Sequence, residues 1–288
     1  MKLSTNENNT LCTVTTSFLV VLDSENATSK NNGDWNSDIT FDFESPIVRP
    51  PNSFLMSMCV QQFNCPNSLY NINETNNYLH ITETIMNIEI PYDIHIPYGN
   101  YNVNTFTTTL IDSLEFSTSN RFSIKFNTLN NKFTIHNSTN EFTIKDDSTI
   151  NNVMGLIIGA TQGSSTKMLT CPYSCNFNGT QSINIMIRNM QTPNIDSYHK
   201  TNAHVIQTVS VDPTSASIIY EKSNDYSFKV SEHLFDHFQV QICNGTNNLV
   251  NFNNQDWNMT LLFTIMYDVN RFDHENTFSR ILEYGYNV

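Results

Sequence analysis

Positive charge is scarce in this chain. Of 288 residues only 14 are Lys or Arg against 27 Asp or Glu, a formal net charge of −13, and no basic run occurs. Affinity for phosphate comes from clustered cations and the counterions they displace, so the chain is a poor candidate for wrapping nucleic acid. Charged residues of either sign reach only 14%, well under the roughly 25% of an average soluble protein. Long hydrophobic runs are missing too: no apolar stretch approaches the ~20 residues of a membrane-spanning helix. Residues 1–10 are polar and lack the apolar core of a secretory signal. The expectation is a protein made and used without secretion, with no membrane insertion and no specific nucleic-acid partner. The Asn-x-Ser/Thr sequons at Asn26, Asn73, Asn137, Asn178, Asn244 and Asn258 then carry no meaning.

Cysteine is also sparse, with six residues too scattered for a disulfide framework. Cys12, Cys59 and Cys243 sit in apolar strand patterns and are expected as small core residues. Cys171 and Cys175 are the one close pair, but they have no partner pair and an unusual spacing for zinc.

What the chain has in excess is asparagine, about one residue in seven, far above average usage. An AT-rich genome favours Asn, Ile, Lys, Phe and Tyr codons, yet Lys is scarce here, so codon bias does not account for the acidity. Hydrophobic residues at 39%, with 11% aromatics, are enough for a buried core, and this length fits one large β-domain or two modest ones.

Hydrophobic periodicity divides the chain. Period-two runs at 12–22, 39–43 and 54–63 read as strands, and the apolar stretch 18–22 suits a strand entering a core. After a further β-like run to residue 96 and the turn at Pro97 and Gly99, the period switches to about 3.6. Phe106, Leu110, Ile111 and Leu114 then share one face of a helix over about 105–115, capped by Asn104 or Thr105. A hairpin pairs 122–126 with 133–135 through Asn130-Asn131, and a third strand follows at 142–144. A short helical turn opens at Ser148, with Gly155 placed to end it. Period two resumes at 181–190, 204–211, 217–220 and 226–230. It ends in an antiparallel pair, 235–242 and 257–265, joined by a turn-rich stretch.

The division expected is an N-terminal arm (1–11), a first β part (12–73), an α+β insertion (74–165), a second β part (166–268) and a C-terminal tail (269–288). About eight strands lie outside the insertion, the number of a jelly roll. The fold class expected is therefore mainly β: a single eight-stranded antiparallel jelly-roll sandwich with a small α+β insertion.

Signatures of chemistry are absent or broken. The glycine-containing run 155–165 lacks the Gly-Lys-Ser/Thr of a phosphate loop and reads as a flexible connector out of the insertion. His233 and His237 have helical i, i+4 spacing but border a strand pattern, lack the metalloprotease glutamate and are expected as solvated loop histidines. His199 and His204 have no companion, and no Gly-x-Ser-x-Gly elbow exists. Asp256 is expected to cap the turn before the last strand, and Trp257 to anchor that strand in the core. Trp35, in a polar loop, is open to a sugar-stacking or a packing role. The residues singled out are thus structural anchors, Pro97, Gly99, Gly155, Asp256 and Trp257, with no catalytic, cofactor-binding or metal-binding residue.

Three groups of segments carry a family resemblance. They are IPYGNY at 96–101, NKFTI at 131–135 and INNVMGL at 150–156; VSVDP at 209–213 with IIYE at 218–221; and the closing VNFNNQDWNMT at 250–260. In order and spacing, over most of residues 90–266, the chain resembles the penton, or vertex minor capsid, proteins of the double-jelly-roll lineage of double-stranded DNA viruses. That lineage comprises virophages, Polinton-type elements and nucleocytoplasmic large DNA viruses. The resemblance implies a non-enzymatic jelly roll forming a homopentamer at the fivefold vertices of an icosahedral shell. Its partners would be further copies of itself and the neighbouring major capsid protein capsomers, and its place the virion, assembled in host cytoplasm or virus factory. The alternatives are another minor capsid or spike protein, or a carbohydrate- or receptor-binding β-sandwich.

Overall fold

The computed structural model describes residues 13–51, 53–118, 121–164, 167–190, 204–213, 215–222 and 226–268. The expected arm and tail, with Cys12 and His199, lie outside them. In chain order the elements begin with β1 (Thr13–Asp23), β2 (Ser29–Lys30), β3 (Asp38–Val48) and β4 (Ser53–Pro66). Next come β5 (Tyr78–Ile85), β6 (Ile88–His95), helix α1 (Val103–Thr118), β7 (Phe122–Asn127), β8 (Lys132–Asn137), β9 (Glu141–Ile144), the single-turn α2 (Asn151–Met154), β10 (Gln162–Ser164) and β11 (Met168–Thr170). The series continues with β12 (Ser182–Ile187), β13 (Val205–Ser210), β14 (Ser217–Glu221), β15 (Phe228–Lys229), β16 (Leu234–Asn244) and β17 (Asn258–Asp268).

The chain is mainly β and its sheets are antiparallel. Leu69–Thr180 forms one compact unit, while the described residues up to Ser68 and from Gln181 form another. The insertion is therefore longer than the expected 74–165. Residues 166–180 belong to it because β11 pairs with β8, the Cys171 and Cys175 amides donate to the Phe133 and Asn131 carbonyls, and Phe177 packs on Phe106 at 5.0 Å. At the other end, Ile72 makes a two-way backbone bridge with Gly99.

The first unit has two five-stranded sheets, one in the order β1-β17-β4-β14 with β15 also on β4, the other in the order β13-β12-β16-β3-β2. Strand β17 is hydrogen-bonded on both edges, to β1 from Asp23↔Asn258 to Thr13↔Asp268 and to β4 from Asn64↔Asn258 to Ser53↔Tyr267. Its period-two pattern explains its place: Met259, Leu261, Phe263 and Ile265 are buried while the intervening residues are partly exposed. The Phe263 ring lies 6.2 Å from Phe235 and 6.3 Å from Phe238 of β16, so the two sheets meet through aromatic side chains. Cys59, Cys65 and Cys243 are buried within this unit.

The apolar run 18–22 does not enter the core as a block. Strand β1 is an edge strand, and Leu19 and Val21 are 58% and 68% exposed while Leu22 is buried. Alternate side chains of a strand leave on opposite faces, so an unbroken apolar run is wholly buried only where both faces are covered.

In the inserted unit, sheets β10-β9-β5-β6 and β11-β8-β7 share a core with α1, into which Phe106, Leu110 and Leu114 project. The helix starts earlier than expected because its cap is Asn102. The Asn102 Oδ1 accepts from the Asn104 and Thr105 amides at 2.9 and 3.0 Å, and Thr105 Oγ1 accepts in return from the Asn102 amide at 3.0 Å. Strand β9 follows the β7–β8 hairpin in sequence but pairs with β5 and β10 in the other sheet. The expected connector at 155–165 is in part strand β10, hydrogen-bonded to β9.

Between these sheets lies a charged group that no local pattern announces. Glu83 of β5 is fully buried. Arg121 donates to its two oxygens at 3.1 and 2.7 Å, Tyr92 Oη donates at 3.1 Å, and Asn137 of β8 supplies a further donor. The hydrogen bond to Glu83 holds the guanidinium proton still more firmly, and burial followed by Glu83 pushes the Tyr92 hydroxyl up. A buried carboxylate that loses its cation keeps its desolvation cost uncompensated. Arg121→Met should therefore cost about 3 to 5 kcal/mol, and adding Glu83→Gln should restore at least part of that loss. Urea unfolding of the wild type, single and double variants checks this; a double variant less stable than Arg121→Met alone would refute it.

Candidate functional site

Side-chain contacts between segments distant in sequence gather where β17 begins. Trp257, 1% exposed, donates its indole N–H to the Asn36 carbonyl at 2.7 Å. Its ring meets Phe41 of β3 edge-on at 6.0 Å and Phe63 of β4 at 5.8 Å, touching both sheets of the first unit. The Trp257 amide donates to Ser24 Oγ, and the Ser24 amide donates to the Trp257 carbonyl, each at 2.9 Å.

Asp256 does not cap its own turn, as its sequence position suggests. Its Oδ1 accepts from Ser24 Oγ at 2.8 Å, from Asn36 Nδ2 at 3.3 Å and from Lys30 Nζ at 3.4 Å. Asn36 Nδ2 also donates to the Gln255 carbonyl at 3.0 Å. Two further amides, of Phe252 and Asn254, donate to the carbonyls of Trp35 and Asp34. The stretch 252–257 is thereby clasped along 24–36, and the carboxylate and indole N–H are spent on holding the chain.

Ser24 and Asn36 are the site residues that sequence inspection misses. Both are fully buried, yet each sits in a polar stretch that reads as loop, and only a partner more than 200 positions away gives it a role. Trp35 is half-buried in the 3-10 turn Gly33–Trp35 and joins the clasp through its backbone.

The remaining anchors belong to the inserted unit. Pro97 is exposed, and its carbonyl accepts from Tyr101 Oη at 2.8 Å, closing the turn that leads into α1. Gly99 packs against the Tyr101 ring, which a Cβ would meet at 3.3 Å. Gly155 ends α2 with φ 77°, and a Cβ there would fall 2.2 Å from the Tyr173 carbonyl oxygen. Glycine is thus required twice over at that position, by backbone conformation and by space.

The residues with ligand-like spacing are placed as follows. His233 is exposed, whereas His237 lies within β16 rather than in a loop and hydrogen-bonds its neighbour Asp236 at 2.6 Å, holding that carboxyl below its usual range. His204 Nδ1 is bound to the Met190 carbonyl at 2.7 Å. Among the described residues no three His, Cys, Asp or Glu side chains are grouped to hold a metal ion.

Cys171 and Cys175 pack in or against the core of the inserted unit, and burial raises both thiols, Cys171 to about 12. Cys65 is likewise pushed up to about 12 by burial. Free thiols titrate near ~8.5, so the folded state keeps these protons where the unfolded chain loses them. The resulting stabilisation is complete below about pH 8.5 and is lost as pH rises toward 12.

Two outcomes are expected. Trp257→Ala should lower the unfolding free energy by about 3 to 5 kcal/mol and Trp35→Ala by much less, as measured by chemical unfolding; small and equal losses would contradict the anchoring role. Separately, the stability difference between the wild type and a Cys65→Ala/Cys171→Ala variant should shrink as pH is raised from 8 to 11. A difference independent of pH in urea titrations would show that burial does not hold these protons.

No protein-family model and no curated protein matches this chain. Among solved structures, the crystal structure of the mavirus penton protein is similar over 88% of this chain and 99% of that one, with 12% identity and a TM-score of 0.47.

Proposed function

We propose that this chain is a structural capsid protein and, in finer terms, the subunit of the pentameric vertex capsomer of an icosahedral virus particle. The observation that carries this is the strand order of the first unit. Setting aside the two-residue strands β2 and β15 and counting the rest from one to eight in chain order, the sheets run 1-8-3-6 and 2-7-4-5. Strands one and eight, two and seven, three and six, and four and five are all neighbours. This order supports reading the unit as a jelly roll, one long antiparallel hairpin rolled into two sheets.

A jelly roll alone hosts many functions, and the penton-like segments of the sequence supply the rest. Of these, 250–260 coincides with the clasp and the start of β17. In the vertex capsomer five copies associate head to tail, and a closing rotation makes their ring finite. The function is assembly and not catalysis, the partners are four further copies and the adjoining major capsid capsomers, and the place is the virion. No helix of the described residues is long and apolar enough to cross a membrane.

Native mass spectrometry and negative-stain class averages of the purified chain test the proposal. A species of five times the 33.0 kDa chain mass with fivefold averages is expected. Only monomers, or rings of another order, at every concentration tested would overturn the vertex assignment.

A further inference from the structure

On the inserted unit, β6 and α1 border an open groove of about 470 Å³. Helix α1 carries two stripes. Phe106, Leu110 and Leu114 fill the core, whereas Thr109, Asp112, Ser113, Phe116 and Ser117 repeat at i, i+3, i+4, i+7 and i+8 along the groove. Phe116 on that second stripe is 95% exposed.

Across the groove, Asp93 and His95 come from β6, an edge strand that among the described residues pairs only with β5. Asp93 spends one oxygen on Tyr78 Oη at 2.6 Å, and its other oxygen has no donor among the described residues. The Asp112 carboxylate is exposed and has no protein partner among the described residues, and neither Lys nor Arg lines the groove. Two carboxylates with no Lys or Arg in the groove lining, beside an exposed aromatic ring, suit a cation, since a guanidinium forks onto carboxylates and is also attracted to a ring. A neutral sugar would stack on Phe116 but leave both charges unanswered.

We propose that this groove binds an extended, arginine- or lysine-bearing segment of another polypeptide, its cationic head set between Asp93 and Asp112 and over Phe116. The free edge of β6 suits an extended partner. The groove's chemistry is independent of the vertex assignment and holds whatever number of chains associates.

Fluorescence anisotropy of the full chain tests this with a fluorescein-labelled hexapeptide carrying two arginines, its glutamate counterpart and unlabelled maltose as competitor. Saturable binding of the arginine peptide alone is expected, falling as salt is raised. Asp112→Asn and Phe116→Ala should each weaken it by roughly threefold or more. Asp146→Asn, which removes an exposed carboxylate of the same unit outside the groove, should leave it unchanged. Circular dichroism confirms that each variant is folded. Equal weakening by all three substitutions would reduce the binding to net charge. Displacement by maltose would make the groove a sugar site. Either outcome, or no saturable binding, overturns the proposal.

Discussion

One buried indole fixes where the far end of the first unit's chain meets its near end. Trp257 lies against rings from both sheets, and its single polar group is used on the carbonyl of Asn36. An unpaired indole N–H at that depth would carry its desolvation cost in full, so the loop holding Asn36 must close over the start of β17 for the ring to be buried at all. With the ring in place, β17 takes its register against β1 and β4 together, and the sheet follows.

Much of this was legible in the residue pattern. The alternation in β16 and β17, the switch of period that marks α1 and the glycine that ends α2 all follow from local chemistry. What was not legible depends on partners distant in sequence. Residues 166–180 have no periodicity that assigns them to either unit, and only pairing of β11 with β8 decides it. The apolar run in β1 reads as core because sequence does not say which strand lies at an edge. Glu83 and Arg121, 38 positions apart, look like ordinary surface charges until two sheets enclose them. The clasp was half visible: Trp257 announces itself, whereas Ser24 and Asn36 do not.

The asparagine excess acquires a structural use beside any genomic one. The chain has only 8 glycines, and among the described non-glycine residues with positive φ most are asparagine: Asn36, Asn87, Asn131, Asn247, Asn253 and Asn254. Asn tolerates the left-handed region because its short side chain bonds locally. At Asn73, Asn130, Asn137, Asn244 and Asn251 the side-chain oxygen accepts from an amide two residues on, closing turns of which all but the one at Asn244-Gly245 contain neither glycine nor proline.

The placement of β17 also orders events on the ribosome. The inserted unit is one contiguous stretch, Leu69–Thr180, and the strands of its two sheets all lie within that stretch. The sheet that begins with β1 and β4 cannot be completed until β17 is made, because β17 lies between them. During synthesis at about 5 to 20 residues per second, β1 and β4 therefore wait through some two hundred residues with hydrogen-bonding edges unfilled. Such open edges favour pairing with other chains, which makes the nascent chain, more than the finished subunit, the stage at which chaperones matter.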